Sequence, residues 1–172
     1  MRDYSKVAPA FWTGDTGRRL RAGGPDCQLL ALFLLTNPSA NMIGLYHLPV
    51  EMIALYLGST LEGASKALRR VCATGFAFHD PIREEVYVPQ MAAHQIGATL
   101  SLLDKRVKGV VRELNNFRKS AFYMDFHERY REAYHLPEPC CCRQEASPLE
   151  APSKPLRSQE QEQEQEQEQE EC

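Results

Sequence analysis

The stretch from Leu48 to Gly75, LPVEMIALYLGSTLEGASKALRRVCATG, constrains this chain more than any other. Val50, Ile53, Ala54 and Leu57 fall at i, i+3, i+4 and i+7, so the spacing predicts a first helix from about Pro49 to Leu57 with one apolar stripe. Gly58 ends it. Ser59 or Thr60 can cap a second helix by accepting an orphan amide of its first turn, and with Gly63 where an acid would stand no capping box forms. In that second helix Leu61, Ala64, Leu68, Val71 and Cys72 recur at helical spacing. Glu62, Ser65, Lys66, Arg69, Arg70 and Ala73 are left facing outward or at the margins. A small-residue start (Gly63, Ala64, Ser65) followed by Lys and Arg suits an element laid in a major groove. The same residues also describe any corner between two amphipathic helices.

The next residues narrow the choice. After Gly75 come FAFHD and REEVYVP, two runs of period two around Asp80-Pro81-Ile82-Arg83, where Asp first and Pro second suit a type I turn. Upstream, Met42 to His47 reads as a short strand that would pair with this hairpin, His47 being a polar strand residue. Helix, turn, helix and hairpin is the layout of a winged helix-turn-helix. The predicted fold class is therefore mainly α with a small β-hairpin (α+β). It divides into an N-terminal arm over residues 1–24, a winged helix-turn-helix over 25–96, a helical extension over 97–136 and a disordered low-complexity tail over 137–172. On this layout the candidate DNA-binding residues are Ser59, Thr60, Glu62, Gly63, Ser65, Lys66, Arg69 and Arg70, with Arg83 just past the hairpin turn.

Gly23-Gly24 breaks the chain, Pro25 suits a first helical position and Asp26 its positive end, which predicts a helix from Pro25 to Thr36 stopped by Asn37-Pro38. Its core, LLALFLL, is apolar nearly all round, so neighbours must cover more than one face. Gln90 to Ile96 is a connector. From about Thr99 a helical stripe returns as Val107, Val110, Val111, Leu114 and Phe117, weakened at Asn115-Asn116. Lys105, Lys108 and Arg112 fall on the opposite side, as secondary phosphate contacts, an oligomer seam or a solvated face. A last amphipathic segment, Ala121 to His135, carries Phe122, Phe126, Tyr130 and Tyr134. In the arm, Trp12 is expected as a core or staple residue. Asp15-Thr16-Gly17 spells the short motif of aspartic proteases, but no apolar strand leads into it and a turn accounts for its glycine.

The net charge of -3 hides an asymmetry: residues 1–136 carry 17 Lys+Arg against 13 Asp+Glu, whereas residues 137–172 carry 3 against 10. The folded part is basic and the tail acidic. Of the six cysteines, Cys27 and Cys72 lie in apolar helical patterns and read as buried small hydrophobes. Cys140-Cys141-Cys142 and Cys172, with only His135 near the run, lack zinc spacing, so no metal or other cofactor is expected. The start has no apolar signal core and the run Leu29 to Leu35 is too short to span a bilayer; the expectation is a cytoplasmic protein with no membrane partner. No nucleophile, base and orienting group stand together at a meaningful spacing, which disfavours an enzyme.

Taken together, YSKVAPAFW, LLALFLLTNPSANMIGLYHLP, TLEGASKALRR, the hairpin to YVPQM and KRVKGVVRELNNF resemble the N-terminal winged-helix region of phage replisome organisers, primosomal helicase-loading proteins and related prophage-borne proteins, over most of residues 4–135. The resemblance implies a protein of a mobile element that binds double-stranded DNA, marks an origin or recruits replication machinery, with a replicative helicase or its loader as partner. Two alternatives stay open: a winged-helix transcriptional regulator acting as a homodimer, and a protein-interaction module that binds a helicase or loader without touching DNA.

The repeat QEQEQEQEQEQE has nothing apolar to bury. Deleting residues 137–172 should leave the melting temperature unchanged in calorimetry. If the acidic arm competes with DNA for the basic face, the shortened chain should also bind random duplex more tightly at low salt, where the Debye length is about 30 Å, with the gain shrinking as salt rises. Equal binding across a salt titration would make the repeat an inert appendage.

Overall fold

The computed structural model describes residues 4–139. Among the described residues the chain is mainly helical with a small antiparallel sheet, an α+β arrangement. The elements run α1 (Ala10–Thr13), α2 (Asp15–Ala22), α3 (Pro25–Thr36), β1 (Leu45–His47), α4 (Val50–Leu57), α5 (Leu61–Ala73), β2 (Phe78–Asp80), β3 (Glu85–Tyr87), α6 (Met91–Gln95), α7 (Lys105–Asn115) and α8 (Tyr123–Tyr130). None of these helices is long and apolar enough to cross a membrane.

The sheet has the order β1-β3-β2, and its register pairs Leu45 with Tyr87 and Tyr46 with Val86 on one side, Phe78 with Tyr87 and His79 with Val86 on the other. Side chains alternate across a strand, so these neighbours point to opposite faces. Tyr46 and Val86 enter a first core with Leu20 of α2, Leu30 and Leu34 of α3, Ile53 of α4 and Val71 of α5. Leu45 and Tyr87 enter a second, with Val110 and Leu114 of α7, Phe126 and Tyr130 of α8, and Tyr134. In β1 and β3 three residues per strand thus serve both cores, whereas the edge strand β2 contributes no residue to either.

Helix α3 is apolar all round because α2 and α5 both pack on it. Its C-terminal end is closed by the sheet: the buried Tyr46 hydroxyl donates to the Leu34 carbonyl at 2.6 Å and accepts from Asn37 Nδ2 at 3.3 Å. In the second core the rings of Phe126, Tyr130 and Tyr134 follow one another at 4.8 Å between centroids. Their hydroxyls reach backbone carbonyls, Tyr130 to Pro89 and Tyr134 to Gly97, each at 2.7 Å. Burial pushes both phenols above their ordinary range.

Several expectations change. The arm over residues 1–24 contains two helices, and Asp15-Thr16-Gly17 is the first turn of α2. Gly17 is required there, because a Cβ would lie 2.2 Å from the Phe11 carbonyl oxygen. Trp12 is not core: it is 46% exposed, edge-on to Phe11. The strand expected from Met42 contracts to Leu45, since Asn41 folds a turn by accepting from the Gly44 amide, with Gly44 at φ +77°. The connector Gln90–Ile96 contains α6. Helix α7 starts at Lys105 rather than near Thr99, capped by the Asp104 carboxylate on the Arg106 amide at 2.9 Å, and α8 ends at Tyr130. Two contacts cross the expected 136/137 boundary: His127 Nε2 donates to the Pro137 carbonyl at 2.7 Å and Arg131 pairs with Glu138. The unchanged melting temperature expected on removing the tail therefore applies to a chain ending at Pro139, and a cut at Leu136 loses both contacts. The expectation of a disordered tail and the cysteines from Cys140 onward lie outside the described residues.

Because one sheet serves both cores, they should melt together. Leu68→Ala in the first core should cost about 2–5 kcal/mol and Phe126→Ala in the second about 3–5 kcal/mol, each lowering the midpoint of the same single calorimetric transition. Two separate transitions in either variant would show that the cores fold independently.

Candidate nucleic-acid interface

The turn between α4 and α5 is built from three residues. Gly58, at φ +60°, ends α4 in the left-handed region and lets the Ser59 amide turn back to the Ala54 carbonyl at 2.9 Å. Thr60 caps α5 by accepting from the Gly63 amide at 3.0 Å. Gly63 sits tightly against that cap, where a Cβ would come within 2.6 Å of Ser59 Oγ. Glu62, in the first turn, complements the positive end of the helix.

Along α5, Ala64, Ala67, Leu68 and Val71 are buried, whereas Glu62, Lys66, Arg69 and Arg70 are exposed. Leu61, expected in the apolar stripe, is half exposed, and Ala67 takes its place against the core. The outward row is basic and uncommitted. Among the described residues Lys66, Arg69 and Arg70 have no acidic partner, while Arg18, Arg106, Arg129 and Arg131 are all drawn into ion pairs. Arg70 stands at the margin nearest α3: its charge partly offsets the burial that raises the Cys27 thiol.

Of the remaining candidates, Ser59 and Thr60 are exposed, and Gly63 and Ser65 are half-buried. Thr60 and Gly63 have a structural role in the cap. Arg83 is exposed at the hairpin tip beside Ile82, itself 92% exposed. That tip is longer than the expected turn. Asp80 Oδ1 accepts from the amides of Ile82 and Arg83 at 2.9 and 3.3 Å, and β3 begins only at Glu85. Glu84 takes a left-handed backbone (φ +52°), its carbonyl accepting from the Leu48 amide at 2.7 Å and its carboxylate pairing with His47 at 3.1 Å. Glu84 therefore faces β1.

Lys105, Lys108 and Arg112 are exposed on α7, as their spacing predicts. They do not join the α5 row, because α5 and α7 pack against opposite faces of the sheet. One cation was missed: Arg19 of α2, also without an acidic partner among the described residues, places its guanidinium beside Gly75, just past α5. The run Arg18-Arg19-Arg21 hints at charge there, but nothing in it says which arginine is taken by Asp15. Among the described residues no group of three or more His, Cys, Asp or Glu converges on a metal position.

Compared with known proteins, the chain matches no family model, no curated protein and no solved structure.

If α5 is the main contact surface, Arg83→Ala should reduce duplex affinity by about 1 kcal/mol or less, as a single exposed charge would. Titrations of Arg83→Ala and Lys66→Ala against the same duplex check the ranking, and a larger loss from Arg83→Ala would reverse it.

Proposed function

We propose that residues 25–96 form a winged helix-turn-helix that binds double-stranded DNA, with α5 as the recognition helix and β2–β3 as the wing. The observation that carries this reading is the basic outward row of Lys66, Arg69 and Arg70 on α5, without acidic partners among the described residues and directly before a hairpin. The order α3, β1, α4, α5, β2, β3, with β1 paired to β3, supports it. Following the resemblance described above, the protein acts in replication initiation of a phage or mobile element, binding an origin or recruiting a replicative helicase or its loader. A protein partner is favoured by one further feature: Leu55 and Tyr56 stand 70% and 51% exposed on α4, with Tyr56 against Phe33 of α3 at 5.7 Å and Leu29 half exposed one turn away. The same apolar group suits a homodimeric transcriptional regulator. Binding upstream of the protein's own gene would favour regulation, and capture of a helicase would favour replication.

The double variant Lys66→Ala/Arg70→Ala should weaken duplex binding while circular dichroism and melting stay those of the parent, because neither side chain fills the core. Each lost phosphate contact should flatten the dependence of log K on log salt by about 0.9. Unchanged affinity and slope would remove α5 as the contact surface.

A further inference from the structure

On the α2 side of the fold lies a cleft of about 440 Å³, a volume within the usual range for small-molecule sites. One wall is the N-terminal strip around Lys6. It is fastened by Gln95, a side chain only 5% exposed, which accepts from the Lys6 amide at 3.0 Å and donates to the Lys6 carbonyl at 2.9 Å, as a strand partner would. The Lys6 ammonium bends over the same point and donates to the Gln95 carbonyl at 3.1 Å. Gly17, whose missing side chain lets α2 cross directly on α1, fixes where Phe11 of the lining stands. That crossing sets the Phe11 ring edge-on to Phe76 at 6.3 Å.

The floor is apolar, with Phe11, Phe76, Phe78 and the fully buried Met91. Among the described residues the charged lining is predominantly cationic: Lys6, Arg19 and Arg129 against one carboxylate, Asp15. Asp15 is paired with Arg18, and Arg129 is held only at 3.7 Å by Asp125. Among the described residues Arg19 has no such tie, and it lies beside the Gly75-Phe76 link. A phosphate backbone would gain nothing from the aromatic floor, and a neutral apolar molecule would leave the guanidinium unused. An anion with an apolar body satisfies both.

We propose that this cleft binds a small amphipathic carboxylate, its head group on Arg19 and its apolar body over Phe11, Phe76 and Phe78. The site stands independently of the DNA-binding reading. Its lining includes Gly75 and Phe76, the link by which α5 passes into β2, so an occupant touches the joint between the proposed recognition helix and wing.

Isothermal titration of the full chain with decanoate and with 2-naphthoate tests the proposal, with decanol and 2-naphthalenemethanol as uncharged counterparts. Saturable one-to-one binding of either acid, with its alcohol weaker, supports it, and the acid that binds distinguishes an aliphatic from an aromatic body. Arg19→Ala should lower the affinity by about tenfold or more, the scale of a lost charge-assisted hydrogen bond, with the melting temperature retained. Asp15→Asn, which removes the only carboxylate of the lining among the described residues, should raise it. No heat or melting-temperature shift with millimolar acid, equal binding of acid and alcohol, or affinity indifferent to Arg19→Ala would each overturn the site. None of these readouts involves DNA, so loss of the DNA-binding reading and loss of the cleft are separate results.

Discussion

The Leu45–Tyr87 and Tyr46–Val86 pairs hold this domain together. A two-stranded ladder three residues long has little stability alone, and a hairpin in water is marginal even when longer. Here each of the four side chains is almost wholly buried, two against α2–α5 and two against α7, α8 and the Tyr134 region. The alternation of a strand thus does what a longer sheet does elsewhere: it joins two helical layers that make their main apolar contacts on different sides. A register slip of one residue would present Tyr46 to the wrong core and remove the Tyr46 hydroxyl from the end of α3.

The same constraint separates the two basic groups. With α5 and α7 on opposite faces of the sheet, Lys66 and Arg69 belong to one surface and Lys105, Lys108 and Arg112 to another. A duplex seated on α5 would engage the second group only by wrapping. The α7 row is more simply understood as the solvated face of a helix whose Val110 and Leu114 are buried.

Much of this architecture was visible in the sequence where periodicity and punctuation agreed. Pro25 and Asn37-Pro38 bracket α3, Gly58 ends α4, and Thr60 caps α5, because each is a local backbone signal that tertiary context has no reason to override. The alternation in REEVYVP located β3, although the strand starts two residues late because Asp80 holds the tip through its side chain rather than closing a two-residue turn. What escaped was set by distant contacts. Trp12 reads as a core or staple residue, yet the crossing of α1 on α2 at Gly17 directs Phe11 inward and leaves the indole half exposed against it. The Gln95–Lys6 exchange spans 89 residues and has no sequence signature. Arg19 likewise could not be singled out from its neighbours until Gly75 was placed beside it.

Exposed hairpin tips are ordinarily where a chain accepts extra residues, since the added segment loops into solvent. This tip has an internal limit. The Asp80 carboxylate fixes the amides of Ile82 and Arg83 on the way out, and Glu84 returns its carbonyl to Leu48 at the entrance to α4 on the way back. An epitope or fluorophore tag inserted after Glu84 would pull the tip away from the start of α4, whereas one placed between Ile82 and Arg83 would give up only the longer Asp80–Arg83 amide contact and keep the anchorage to Leu48. The freely extendable part of the hairpin is thus confined to its very end, and lengthening the β3 side there would also loosen the first helix of the pair.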